Sequence, residues 1–248
     1  MAVRTIDRES VRSWRPRSGG RLVAPDGSTL TLGHETSALD QPWFTESRIR
    51  YSGTPEAGRA GGRAFETGPV GVVDGHVAVL LAGSYTAEYR GQGGTFLLAA
   101  AADRGAGLVA WQGRWHEAYC WVNEPGASHA QMLEKLDRLT FVDAPAGLRV
   151  SLPAGQTYQR ITATKHVPGI GFLEITSAAA AAAALPTWAG HRVRVGEVWR
   201  QISDAKEADP KVVLVCASPT AVVSLHPRGN TEDAGLDFLT GLSALSWI

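Results

Sequence analysis

A chain of 248 residues can bury a substantial core, either as one large domain or as two of ordinary size. Its 24 basic and 24 acidic side chains balance, so no overall charge attracts nucleic acid, an anionic membrane or an acidic substrate. Charged residues make up only 19% of the chain and 28 residues are glycine, a composition typical of a folded, turn-rich protein and not of a disordered one.

The sequence also indicates the cellular environment. Residues 1–8 lack the apolar core of a secretory signal, and the longest apolar stretch, residues 178–185, falls far short of the roughly 20 residues that a membrane span needs. Cys120 and Cys216 are the only cysteines, so no disulfide framework is indicated. We therefore predict a soluble cytoplasmic protein without membrane contact. Arginine far outnumbers lysine, which indicates a GC-rich bacterial genome, that of an actinobacterium or its phage.

Residues 1–21 carry six arginines and two acidic residues. We interpret this segment as a basic N-terminal arm. A solvated leader explains it better than a nucleic-acid contact, because Trp14 is its only aromatic residue.

The following part of the chain has the pattern of short strands joined by tight turns. Asp26-Gly27 lies between two alternating stretches and predicts a hairpin, and Gly113-Arg114 predicts a second one. Gly91-Gln92-Gly93-Gly94 and Asp74-Gly75 are further turn signals. Strands are predicted at residues 70–73, 77–82, 86–90, 95–101, 108–112 and 115–122. Because the connections are short, the pattern predicts an antiparallel meander.

A helix is predicted after the second hairpin. Ser128 is a helix N-cap residue, and Gln131 three positions later completes a capping box. Apolar residues recur at helical spacing along one side: Met132, Leu133, Leu136 and Leu139. Residues 177–185 predict another helix, because seven consecutive alanines favour helix and Pro186 ends it.

The same order of elements returns near the C-terminus. Strands predicted at residues 211–217 and 220–226 precede a helix that begins at Thr231 or Asp233 and continues to the end of the chain. Its apolar side reproduces the earlier spacing with Leu239, Leu242, Leu245 and Trp247. Two interpretations are open: duplication of one strand–strand–helix unit, or the chance recurrence of leucine spacing that is common in helices.

We therefore predict an α+β fold in which antiparallel meander sheets are covered by amphipathic helices. Residues 22–146 would form the first α+β unit and residues 147–248 the second. Element order and the Leu136, Leu139 and Phe141 pattern resemble the end of PsbP/Mog1-type domains over residues 84–143 and again over residues 193–247. That resemblance implies an α+β binding or assembly factor without a shared catalytic site.

The sequence contains no compact catalytic or metal-binding motif. His116 and Cys120 share a strand face but lie roughly 13 Å apart by strand rise, too far for a thiolate and its base. The remaining histidines occur singly, and the glycine-rich segments lack the context of a nucleotide-binding loop. We predict no catalytic residues, no metal and no cofactor.

The aromatic residues concentrate on the second hairpin. On its second strand, alternate positions share one face, which places Trp115, Glu117, Tyr119 and Trp121 together. Such a face either packs beneath a helix or forms a binding surface. The candidate interface residues are Trp111, Trp115, Tyr119, Trp121 and Trp247.

Three functions are compatible with these features. The preferred hypothesis is a non-catalytic assembly or binding protein that contacts a protein partner or itself, as a component of a bacterial or phage-derived apparatus. The second is an enzyme whose site is assembled from distant residues, with the candidates Glu117, His116, Tyr89 and Arg90. The third is a small-molecule binding module with a pocket beneath the helix at residues 178–185.

Overall fold

The computed structural model describes residues 4–5, 20–35, 37–51, 63–81, 83–101, 105–202 and 211–248. Most of the basic arm predicted for residues 1–21 lies outside these ranges. Within them, no helix is long and apolar enough to cross a membrane.

The predicted α+β class is wrong, because the protein is mostly β. Strands account for 52% of the structure and helices for 16%, and the described residues contain four short α-helices. The predicted roofing helices are too short to cover the sheets. The helix that begins after Ser128 ends at Leu133, and the C-terminal one ends at Thr240.

The elements have the following bounds. The strands are β1 Arg4–Thr5, β2 Arg21–Val23, β3 Thr29–Gly33, β4 Phe44–Tyr51, β5 Arg63–Pro69, β6 Ser84–Tyr85, β7 Ala87–Gly91, β8 Gly94–Ala100, β9 Gly107–Gln112, β10 His116–Val122, β11 Thr140–Ala144, β12 Gly147–Ser151, β13 Gln156–Val167, β14 Gly171–Ser177, β15 His191–Val193, β16 Gly196–Ile202, β17 Val212–Ala217, β18 Ala221–Pro227 and β19 Ala244–Trp247. The α-helices are α1 Val72–Leu80, α2 His129–Leu133, α3 Ala178–Ala181 and α4 Glu232–Thr240, and 3-10 turns occupy Ser37–Asp40 and Ala182–Ala184.

The described residues divide into two compact units. Unit 1 consists mainly of Thr45–Gln159, and unit 2 consists mainly of Ser28–Phe44 and Arg160–Ile248. The main division along the chain therefore falls near residue 160, whereas the sequence placed it at 146. Unit 2 takes an early segment of the chain because β3 pairs with β19 at the C-terminus.

The two units have the same topology. The strand order is β4-β5-β10-β9-β8-β7 in unit 1 and β13-β14-β18-β17-β16-β15 in unit 2, and neighbouring strands within each unit are antiparallel. In both, two strands are followed by a helix, a set of four sequential strands, a second helix and a strand of a smaller sheet. Unit 1 has, in addition, the short strand β6 between α1 and the set. The repeated element is thus larger than a strand–strand–helix unit. The strands predicted at residues 86–90, 95–101, 108–112 and 115–122 form a sequential antiparallel meander, β7-β8-β9-β10, as predicted. The second strand of each unit, β5 or β14, pairs with the last strand of its set.

Helix α1 occupies residues that were predicted to form two strands. Gly71 precedes it with φ of 101°, a left-handed conformation that favours glycine. Val73 and Val77 are buried on the side that faces the sheet, at a spacing of one helical turn. Asp74-Gly75 therefore lies inside a helix instead of forming a turn. Packing against the sheet outweighs the β-propensity of the valines.

Both faces of the unit 1 sheet are covered by apolar side chains from neighbouring elements. Helix α1 packs on Leu97, Ala99, Leu108, Ala110 and Tyr119. Residues from α2, β11 and β12 pack on the opposite face, on Phe96, Leu98, Val109, Trp111 and Ala118. The alternation of the two sets along each strand follows the two-residue period of β-structure.

In unit 2, the C-terminal residues form a strand and not a helix. Helix α4 contacts β17 and β18 and ends at Thr240, after which Leu242 and Leu245 are buried. Strand β19 pairs with β3, and the indole nitrogen of Trp247 donates to the hydroxyl of Ser28 at 2.7 Å. A partner strand distant in sequence thus overrides the helical spacing of these residues.

Helix α3 packs on part of the opposite face of the unit 2 sheet. The hydroxyl of Ser177 accepts from the amide of Ala180 at 3.3 Å and caps the helix. Ala178, Ala181 and Leu185 pack on Trp199, Val215 and Val222. The helix is shorter than the predicted residues 177–185, and it roofs only one end of the sheet face.

Candidate functional site

In each unit, the helix on one sheet face leaves the end of that face uncovered. Register places Glu66 opposite Tyr119 in unit 1 and Glu174 opposite Ser224 in unit 2, at equivalent positions of the two topologies. Side chains two residues away lie on the same faces. We call these regions the open faces: Arg48, Ala64, Glu66, His76, Tyr119 and Trp121 in unit 1, and His166, Phe172, Glu174, Ser224 and His226 in unit 2.

A hydrogen-bonded chain crosses the open face of unit 1. The hydroxyl of Tyr119 donates to Oε2 of Glu66 at 2.7 Å, and Nε2 of His76 lies 3.2 Å from the same hydroxyl. Because a phenol has one proton, which here goes to Glu66, His76 must donate from Nε2. The hydrogen-bonded chain therefore runs from His76 on α1, through Tyr119, to the carboxylate of Glu66 on β5.

The ionisation of this chain follows from its partial burial. Burial lowers the pKa of His76 below its usual value, although the charge of Glu66 opposes the shift. Burial and then the neighbouring Glu66 carboxylate raise the pKa of Tyr119. At neutral pH the imidazole is thus uncharged and the phenol keeps its proton.

Aromatic rings surround the same histidine. The ring of His76 lies 5.2 Å from that of Tyr119 and 5.6 Å, edge to face, from that of Trp121. Trp121 is half-buried. The open face of unit 1 therefore combines an amphipathic aromatic surface with hydrogen-bonding groups, a combination that protein interfaces favour.

Glu117 lies on the same strand face as Tyr119 and is fully buried. It accepts hydrogen bonds from the amide of Val73, at 2.9 Å, and from the side chain of Gln112. Burial raises the pKa of Glu117, and these donors partly offset that shift. Since Val73 belongs to the first turn of α1, Glu117 anchors the start of this helix to the sheet.

A second hydrogen bond fastens α1 to the neighbouring strand. The hydroxyl of Tyr85 donates to Asp74 at 2.7 Å. Together with Glu117, it fixes the helix that carries His76. The buried polar groups beneath α1 thus position the open face and are not exposed to a substrate.

The open face of unit 2 has a different set of side chains on the same framework. Phe172 is 39% exposed and its ring lies 6.5 Å from that of His226. Nε2 of His226 lies 3.8 Å from Oε2 of Glu174, an ion-pair distance and not that of a hydrogen bond. The proximity of His226 lowers the pKa of Glu174, and burial opposes the shift.

The aromatic residues predicted as interface candidates occupy different environments. Trp111 is 1% exposed and stacks on Phe141 on the α2 side of the sheet, and Trp247 is 8% exposed. Tyr119 is buried, and its hydroxyl takes part in the hydrogen-bonded chain described above. Trp115 lies in the β9–β10 connection beneath the guanidinium of Arg114, 4.9 Å from the ring. Trp121 alone among the five lies half-buried in an open face.

The four residues proposed for an enzymatic site lie in different environments. His116 is paired with Asp143 at 2.8 Å, and Tyr89 lies 3.4 Å from His129. Glu117 anchors α1, as described above, and Arg90 is exposed on β7. The structure does not bring the four together.

The two cysteine thiols are also unsuited to nucleophilic chemistry. Both Cys120 and Cys216 are free and buried. Burial raises the pKa of each to about 12, so neither is a thiolate at neutral pH.

The residues that define the open faces were largely missed by sequence reasoning. Glu66, His76, Glu174 and His226 belong to no short motif, since each is placed by pairing between distant strands or by α1. One signal was available for His76. Assignment of residues 72–80 to a helix would have placed it one turn from Val73, near the edge of the buried side.

Across the described ranges, no group of three or more His, Cys, Asp or Glu side chains is placed to hold a metal ion. Comparison of the chain with family models, curated proteins and solved structures found no match. The resemblance to PsbP/Mog1-type domains therefore stays a prediction.

Proposed function

We propose that this chain is a non-catalytic binding protein that acts through protein–protein contacts at its open faces. The observation that carries the proposal is the exposure of Phe172 and the partial exposure of Trp121 beside hydrogen-bonding histidine and carboxylate groups. Aromatic anchors next to polar groups are the side chains that dominate binding energy at protein interfaces. Assembly into a multi-subunit bacterial or phage-derived apparatus is the use that we favour.

The shared topology supports the same proposal. Strands β5 and β10 in unit 1, and β14 and β18 in unit 2, form a rigid antiparallel platform on which the side chains differ. A framework that two units share while their surface residues differ suits recognition, because strands hold contact residues without a large entropic cost. We expect each open face to contribute its own contacts.

We also propose that the protein works in the cytoplasm. Cys120 and Cys216 are buried as free thiols, which suits a reducing compartment. The balanced net charge favours a protein partner over nucleic acid.

Affinity purification of tagged protein from its host tests the proposal. Phe172→Ser and Trp121→Ser should each reduce the recovered partner at least about tenfold, as expected for the loss of an aromatic anchor. Leu236→Ser is the matched control for Phe172→Ser, because Leu236 is 40% exposed outside the open faces. Light scattering of the purified protein detects self-association.

The control variant should recover as much partner as the wild type. Full recovery by both open-face variants would overturn the proposal. So would a wild-type protein that is monomeric and recovers no partner.

A further inference from the structure

A cleft in unit 1 lies on the side of the sheet opposite the open face. Its volume is about 430 Å³, within the range of pockets that hold small molecules. Ala100, Gly107 and Val122 occupy one row across three strands and form its floor. Met132 of α2 forms one wall, and Ala127, in the segment that precedes α2, also lines the cleft.

Small side chains create this space at the end of the sheet. A Cβ atom at Gly107 would lie 3.0 Å from the terminal methyl of Met132, so the wall rests directly on the strand backbone. Alanine at position 100 leaves open the volume that a larger apolar residue would fill. Met132 adds a flexible, polarisable surface that adapts to a bound apolar group.

The mouth of the cleft is held in place by local hydrogen bonds. The Ser128 and Gln131 capping box fixes the start of α2, with the amide of Ser128 donating to Gln131 at 2.9 Å. The ammonium of Lys135 pairs with Glu124 at 2.7 Å and ties the preceding segment to the residues after α2. A pre-formed cleft binds a ligand without the entropic cost of ordering its walls.

The polar groups at the rim define the chemistry of a ligand. Among the described residues that line the cleft, Glu124 and His129 are the ones with an acidic or basic side chain. The charge of Glu124 is balanced by Lys135. The hydroxyl of Thr86 donates to the carbonyl of Leu98 at 3.2 Å and retains the capacity to accept. The rim thus offers hydrogen-bond acceptors without net charge.

We propose that this cleft binds a small uncharged molecule with an apolar body and a hydroxyl group. The apolar body lies on Ala100, Ala106 and Ala127, the partly exposed apolar residues that line the cleft. The hydroxyl donates to an acceptor at the rim, where Thr86 and Glu124 lie. The proposal is independent of the protein partner, because the cleft and the open face occupy opposite sides of the sheet.

Titration of the purified protein with 2-naphthol, followed by amide chemical shifts at pH 7, tests this inference. We expect saturable binding with a Kd below about 1 mM. The largest shifts should fall on residues 106–107 and 124–129. The anion 2-naphthoate and the cation 2-naphthylmethylammonium should each bind at least about tenfold more weakly, because the described residues that line the cleft carry no unbalanced charge.

Ala100→Leu fills the floor of the cleft and should weaken 2-naphthol binding at least about tenfold. The control Ala179→Leu makes the same change at an exposed position of α3 and should leave the binding unchanged. Equal binding by wild type and Ala100→Leu would overturn the proposal. Should Ala100→Leu fail to fold, the shifts of the wild type decide the matter. Shifts located away from the cleft, no binding at all, or equal affinity for the charged analogues would contradict it.

Discussion

Replacement of Trp111 by alanine is expected to destabilise the protein by about 4 kcal/mol, the usual cost of truncating a buried tryptophan. The side chain is 1% exposed and stacks on Phe141 with ring centroids 4.4 Å apart. Its removal eliminates that contact and leaves a cavity between the sheet and β11. The indole nitrogen is buried without a hydrogen-bond partner among the described residues, and phenylalanine keeps one ring in the site, so Trp111→Phe should destabilise the protein less than Trp111→Ala.

Urea unfolding followed by circular dichroism measures these changes as shifts of the midpoint. Trp188→Ala is the matched control, because Trp188 is 61% exposed and its truncation should change stability by less than about 0.5 kcal/mol. Equal destabilisation by Trp111→Ala and Trp188→Ala would contradict the placement of Trp111 in the core.

The second large effect is expected from Lys165, a fully buried lysine on β13. Its ammonium donates to the carbonyl of Gln41 and lies 4.1 Å from the ring centroid of Trp43. Burial lowers the pKa of Lys165 to about 7, although the charge of Asp40 opposes the shift. The protein therefore holds a side chain whose protonation costs free energy in the folded state.

The direction of the pH dependence follows from this shift. Below pH 7 the amine is protonated in both states, and above its ordinary value near 10.5 it is neutral in both. Between these limits the unfolded chain binds more protons, so the free energy of unfolding should rise with pH, by on the order of 4 kcal/mol across the window.

Urea unfolding at pH 7, 8.5 and 10 measures the dependence, and Lys165→Met isolates it. The variant keeps the apolar length of the side chain and removes the amine. We expect the free energy of unfolding of the variant to change little with pH over this range, once the contribution of the other titrating groups is subtracted. An identical slope in wild type and Lys165→Met would show that Lys165 does not carry the linkage. Lys135→Met, at a partly exposed site, is the control and should retain the wild-type slope.

Local signals in the sequence predicted local structure well. The capping box at Ser128 and Gln131 is present, and the hairpin at Asp26-Gly27 forms with φ of 90° at Gly27. The Gly91-to-Gly94 turn also forms, with Gln92 and Gly93 both at positive φ. In each case the determining interactions lie within a few residues of the signal.

Features set by distant contacts were not predictable in the same way. The valines of residues 72–80 favour strand locally, but Glu117 and the sheet stabilise a helix there. Leu245 and Trp247 have helical spacing, yet β3 captures them as a strand. Pairing of β5 with β10 joins residues about 50 positions apart, and no periodicity in either strand specifies that partner.

The candidate site was predicted only in part for the same reason. The alternation along β10 correctly placed Glu117, Tyr119 and Trp121 on one face. Their partners Glu66 and His76 come from β5 and α1. Glu66 is placed by strand pairing, and His76 lies between two predicted strands, beside a predicted turn, where the structure has a helix. The equivalence of Glu66 and Glu174 follows only from the shared topology, because the surrounding residues differ.

Both units have one strand order, in which the second strand pairs with the last of the set. Cross-strand nuclear Overhauser effects between backbone protons test it most directly. We predict contacts between Glu66 and Tyr119 in unit 1 and between Glu174 and Ser224 in unit 2. Contacts that instead join β5 to β7 and β14 to β15, as a sequential meander requires, would contradict the claim.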